Sequence, residues 1–160
     1  MDFMHDSLYC GKPFRTLNLI DEGTRECLEI EIDTSLPAER VIRVLERLKA
    51  ERGLPKQIRV DNGSELISVN LLNYGEDNQI SLCHIQPEKP QQNGFIERFN
   101  GSFRREFLNE YLFESLSQVR ELAWFWLQDY NHNRTHESLN NLPPETYRKQ
   151  LENSKLVCLN

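Results

Sequence analysis

The tightest constraint on this chain is the run Ile58-Arg59-Val60-Asp61-Asn62-Gly63, a short apolar strand that stops where a carboxylate begins. Pro55 leads into the strand, Gln57 to Val60, and Asn62-Gly63 ends it with turn formers. Upstream, Asp2 to Cys10, Phe14 to Ile20 and Cys27 to Ile32 read as strands, the last two with a period near two. Gly11-Lys12-Pro13 and Asp21-Glu22-Gly23-Thr24 separate them, so the three form an antiparallel meander. A helix follows, capped by Ser35 with Pro37 in its first turn; Val41, Val44 or Leu45, and Leu48 form its apolar stripe, and Gly53 stops it. Residues 64–75 are expected to be helical and Ser81 to Ile85 to form another short strand. A meander followed by strand–helix–strand predicts an α/β fold, a mixed sheet with parallel strands on one side.

Residues 86–93 are a polar, Pro- and Gln-rich loop, and a helix begins near Gly94 or Phe95. On a helical wheel Ile96, Phe99, Phe103 and Phe107 cluster inward, while Glu97, Asn100 or Gly101, and Arg104 lie on the other side. Ser115-Leu116-Ser117-Gln118 has the capping-box pattern and opens a long helix through Tyr130, with Trp124 and Trp126 expected in the core. Pro143-Pro144-Glu145 opens a short last helix. The expected domain is 1–150, with 151–160 a tail.

A chain of 160 residues fits one domain. Its net charge of -6 argues against a stand-alone DNA-binding module, because phosphate neutralisation dominates such affinity. Nucleic acid would be bound weakly, or with metal ions and a partner domain. No apolar run approaches the roughly 18 residues of a membrane span. The start has no signal-peptide character, so a cytoplasmic setting is expected and no membrane partner. Cys10, Cys27, Cys83 and Cys158 lack zinc or disulfide spacing, and His5, His84, His132 and His136 show no zinc pattern.

Three carboxylates remain. Asp61 ends a strand, Glu97 sits in the first turn of a helix with 35 residues between the two, and Asp2 lies in the first strand. Acids on three separate elements could converge on divalent ions, which take oxygen ligands and activate the attacking and leaving oxygens of a phosphodiester. Each has a blander reading. Asp61-Asn62-Gly63 is a common turn, Glu97 suits a helix N-terminus, and Asp2 at a terminus means nothing alone. Arg104, seven residues after Glu97, could meet a phosphate or make a surface ion pair.

Met1-Asp2-Phe3, Arg59-Val60-Asp61-Asn62-Gly63-Ser64-Glu65 and Pro90-Gln91-Gln92-Asn93-Gly94-Phe95-Ile96-Glu97-Arg98-Phe99-Asn100-Gly101 resemble the catalytic core of insertion-sequence transposases, with retroviral integrases as more distant relatives. Within that group the chain is similar to second-frame products. Thr24-Arg25-Glu26 and Tyr130-Asn131-His132-Asn133-Arg134-Thr135-His136-Glu137-Ser138-Leu139 match further family segments. Thr135 stands where relatives carry Pro.

The resemblance implies an RNase H-like fold, a five-stranded mixed sheet flanked by helices. It implies a DDE-type polynucleotidyl transferase that cleaves element ends and joins the 3′ hydroxyl to a target in DNA integration. Asp2, Asp61 and Glu97 would be both catalytic residues and ligands of two Mg²⁺ or Mn²⁺ ions. Lys89, Asn93, Arg104 and Arg105 are the expected DNA contacts. The expected partners are transposon ends, target DNA, and further copies of the chain or full-length transposase. Relatives carry a helix-turn-helix region and more strand before the first Asp. The expectation is therefore an N-terminally truncated core, and its alternative an inactive remnant that keeps the fold and pairs with full-length transposase.

Overall fold

The computed structural model describes residues 1–61, 63, 66–85 and 93–157, with backbone only at 155–157. The predicted meander is present: β1 (Asp2–Ser7), β2 (Pro13–Ile20) and β3 (Cys27–Asp33) pair antiparallel, with Asp2 opposite Asn18 and Leu17 opposite Glu31. Strand alternation sends Phe14, Thr16 and Asn18 of β2 to one face and Leu17 and Leu19 to the other. Both faces are covered, giving three layers.

On the second face lie α1 (Ala38–Arg52) and α2 (Val69–Asp77), with Leu17, Leu19, Val41, Val44, Leu48, Leu71 and Tyr74 in one cluster. Helix α1 starts after Pro37 with no side-chain cap, so Ser35 is not the cap its position suggests. Pro37 has no N–H to satisfy, and fully buried Leu36 anchors the entry instead. Gly53 ends α1 at φ 80°, donating its N–H to Lys49 O, as the glycine signal requires. Helix α2 begins later than expected because Ser68 Oγ accepts from Leu71 N at 3.3 Å, making Ser68 the cap. It connects β4 (Gln57–Val60) to β5 (Ser81–His84), which run parallel.

The ladders thus divide into three strands and two. The Met1 amino group donates to Arg59 O at 2.7 Å, linking the start of β1 to β4.

The first face is covered by α3 (Gly94–Phe103), a π-helical turn (Arg104–Leu108) and α4 (Leu116–His132). Phe99, Phe103, Phe107, Trp126 and Tyr130 pack there, some stacked and some edge to face, with centroids 4.9–6.3 Å apart. The π turn, closed by Asn109 N to Arg104 O at 2.9 Å, inserts an extra residue that buries both Phe107 and Leu108. Ser115 caps α4 by accepting from Gln118 N, while Gln118 Oε1 reaches back to Glu114 N. Trp126 joins the core, but Trp124 is 56% exposed. Two positions on a helix are about 200° apart, so the pair cannot share a face. A short 3₁₀ turn (Glu137–Leu139) precedes α5 (Pro144–Val157), which runs on past residue 150. No helix among the described residues is long and apolar enough to cross a membrane.

Candidate active site

Asp2 opens β1 opposite Asn18, and the bond from the Met1 amino group to Arg59 O brings it beside the end of β4, where Asp61 follows. Asp2 Oδ1 accepts from Phe3 N at 2.7 Å and Oδ2 accepts from Asn100 Nδ2 at 2.8 Å. Asn100 Oδ1 in turn accepts from Asn18 Nδ2 at 2.8 Å, and the same nitrogen lies 3.3 Å from Met4 Sδ. This chain of amides fixes which end of Asn100 faces Asp2: a donor does. Asn18 is wholly buried, and its Oδ1 has no partner among the described residues. Such an orphan costs about 1–3 kcal/mol, so an apolar side chain there would serve stability better.

Asp61 Oδ1 accepts from Gly63 N at 3.0 Å, the Asx turn that the sequence suggests. A Cβ on Gly63 would also sit 3.0 Å from that oxygen, so the turn favours glycine. Burial, and then the charge of Asp61 next to it, push the Asp2 carboxyl above the usual aspartate range, while the Phe3 N–H works the other way. Two carboxylates thus face one another closely enough to repel. Hard oxygen donors held in mutual repulsion fit a divalent cation.

The remaining expected site residues divide. Glu97 lies in the first turn of α3, one turn before Asn100, with its side chain exposed. No hydrogen bond or ion pair joins it to Asp2 or Asp61 among the described residues, and no group of three metal-type side chains is gathered among them. Arg104 is committed to β1, donating to Asp6 Oδ2 and His5 O at 2.7 Å each. Of the two options open to it, the ion pair is the one present. Arg105 is exposed, and its Nη1 would lie 3.2 Å from a Cβ on Gly101. Asn93 is buried just before α3, its Oδ1 without a partner among the described residues. Lys89 lies outside the described residues.

The sequence places Asn100 or Gly101 on the side of α3 that bears Glu97 but assigns a site role to neither Asn100 nor Asn18. For Asn18 a signal existed: an amide between Leu17 and Leu19 in the strand β2. A groove of about 980 Å³ is lined by Met1, Leu48, Arg52, Ile58 and Arg148 among others, and by neither Asp2 nor Asp61. Asp2 and Asp61 are both half-buried.

The family model described as Integrase core domain matches residues 1–90, and a second of the same description matches 78–144. A Burkholderia multivorans protein described as the insertion element IS407 uncharacterized 31.7 kDa protein is 40% identical over 147 residues, covering 92% of this chain and 53% of its own length. The corresponding IS476 protein of Xanthomonas euvesicatoria, of 39.2 kDa, is 37% identical over 158 residues, covering 96% and 46%. The chain spans about half the length of these curated relatives. Among solved structures, the HTLV-2 integrase catalytic core domain in complex with magnesium, in a trimeric form, superposes with TM-score 0.66 at 14% identity, over 91% of this chain and 94% of that one. The BIV integrase catalytic core does so with TM-score 0.67 at 16% identity, over 97% and 96%. At such identities the likeness speaks for the fold alone.

Proposed function

Because the chain belongs to the Integrase core domain family, we propose that it is the catalytic domain of an insertion-sequence transposase, a DDE-type polynucleotidyl transferase acting on DNA ends. The observation that carries this reading is the Asp2–Asp61 pair, locked to α3 through Asn100. That helix also bears Glu97, so one hydrogen bond ties the third acid's element to the first. Asp2, Asp61 and Glu97 would hold Mg²⁺ or Mn²⁺, two ions in the complete site. When bound, such ions activate the attacking oxygen and stabilise the leaving one.

The chain's own residues prepare the site. Asn18 orients Asn100, and Asn100 holds Asp2 by one lone pair of Oδ2, leaving others for a cation. Arg104 clamps the end of α3 to β1. Glu97 is exposed, so the ordering cost of its side chain falls on the binding step. In the same reading β4 lies alongside β1 in one five-stranded sheet, supported by the Met1–Arg59 bond. The active form is an oligomer on paired DNA ends; the HTLV-2 neighbours are described in trimeric and dimeric forms.

The test is calorimetric titration of the chain with Mn²⁺, beside Asp61→Asn and Glu97→Gln, followed by end-cleavage assays. Binding should be weakened at least tenfold in both variants, about 1.4 kcal/mol or more, and cleavage lost. Cleavage that survives in Asp61→Asn would sink the site assignment. Mn²⁺ affinity unchanged in both variants would do the same.

A further inference from the structure

Most arginines in this acidic chain are already engaged: Arg40, Arg47, Arg52, Arg59, Arg104 and Arg148 each meet a carboxylate. Arg25, Arg43, Arg98 and Arg105 have no carboxylate partner among the described residues, and of these Arg25 and Arg98 lie at the start of α3. Arg25 occupies the turn between β2 and β3 with φ 60°, a left-handed conformation that costs a side chain other than Gly or Asn about 1 kcal/mol or more. The turn is over-determined around it. Asp21 N donates to Glu26 O at 2.8 Å, and Asp21 Oδ1 accepts from Gly23 N and Thr24 N. The strained backbone lays the guanidinium 3.6 Å from the centroid of Phe95, itself 40% exposed at the start of α3.

Arg98 follows Phe95 by three residues, so the two side chains neighbour one another on the helix surface. Glu97 precedes Arg98 on the same exposed side. Behind them His136 packs edge-on against Tyr130 at 5.3 Å, its Nε2 buried and without a partner among the described residues. Burial, and then the charges of Arg134, Arg25 and Arg98, hold that imidazole below its usual range, so Arg25 and Arg98 both lie near it. Arg134 itself is taken by Glu106 and Ser102.

We infer that Arg25, stacked on Phe95, and Arg98 form a phosphate clamp that holds the backbone of a DNA strand across α3 beside Glu97. The clamp rests on the DNA-processing reading above. It explains how a chain of net charge -6 presents local positive charge to a polyanion, and why an arginine, rather than glycine, sits at a left-handed position.

The experiment measures fluorescence anisotropy of a short labelled duplex of arbitrary sequence across a salt series, with Mg²⁺, for the wild type, Arg25→Gly, Arg98→Gln and the double variant. Arg43→Gln, on the exposed face of α1, is the control. Each clamp variant should reduce the slope of log K against log salt by about 0.9, and the double variant by about twice that. Arg25→Gly should melt no lower than wild type, because glycine relieves the left-handed strain. A purely structural arginine gives the opposite: a lower melting temperature with the slope unchanged. Wild-type slopes in Arg25→Gly and Arg98→Gln, or an equal reduction in Arg43→Gln, would overturn the clamp while leaving the DNA reading standing. Absence of any salt-dependent binding by the wild type would remove both.

Discussion

Asp2 is held in a conflict that folding alone would not select. Its carboxylate is part-buried, receives Phe3 N and Asn100 Nδ2, and still faces Asp61. Folding therefore raises its affinity for a proton. The sign follows: stability falls as pH rises from the ordinary aspartate range through the raised value, and the loss is complete above it. Asp61→Asn replaces the repelling carboxylate with an amide, and should gain about 1 kcal/mol at neutral pH. Urea unfolding at a series of pH values should show the gain growing across that window and fading in acid. A variant less stable than wild type at neutral pH would mean that Asp61 acts through its turn, by accepting from Gly63 N. At this scale Asp61 was legible from its strand-end position. Asn100 was not, because its partner lies 98 residues away and only packing brings the two together.

Elements are joined here by ion pairs that no local pattern announces. Glu26, 3% exposed just before β3, receives the Arg52 fork from the end of α1 at 2.7 and 2.8 Å. Arg148 of α5 adds its Nε at 3.1 Å. Asn131 of α4 meanwhile exchanges two hydrogen bonds with the backbone of Cys27, 2.8 Å each, as a neighbouring strand would. Arg52→Ala leaves a buried carboxylate with one partner, and should cost about 2–3 kcal/mol in urea unfolding. Arg52→Lys should fall between, since it keeps the charge and loses the fork. A loss near zero would mean that Arg148 satisfies Glu26 unaided. The helices themselves were readable from their stripes and caps, α1 from Val41, Val44 and Leu48, and α4 from Ser115 and Gln118.

The meander is the shared wall of two cores. Leu17 and Leu19 belong to the one beneath α1 and α2; Phe14 and Ile30 belong to the one beneath α3 and α4. Neither core can be lost without exposing the back of the same sheet, so the molecule should unfold as one unit. Leu17→Ala and Phe103→Ala, each fully buried on opposite faces, should each cost about 3 kcal/mol or more. Far- and near-UV circular dichroism should still give coincident transitions. Separate transitions in Phe103→Ala would show that α3 and α4 are a dispensable layer.

Short-range chemistry is what the sequence by itself determined. Period-two runs gave the meander, period-3.6 stripes the helices, Gly53 and Ser115 their ends, and the motif around Asp61 and Glu97 the family. Those signals are local because propensity, capping and turn preference act within a few residues. Only the tertiary structure decided which polar groups meet: Asn18 with Asn100 and Asn100 with Asp2, Arg104 with Asp6, Glu26 with Arg52, and Arg25 with Phe95. It also put Trp126 inside and Trp124 outside, although both are apolar and two residues apart. Each such outcome depends on the register of β1 on β2 and on the rotation of α3 and α4 over the sheet. Those are set by the packing of whole apolar faces, a property that no stretch of sequence carries alone.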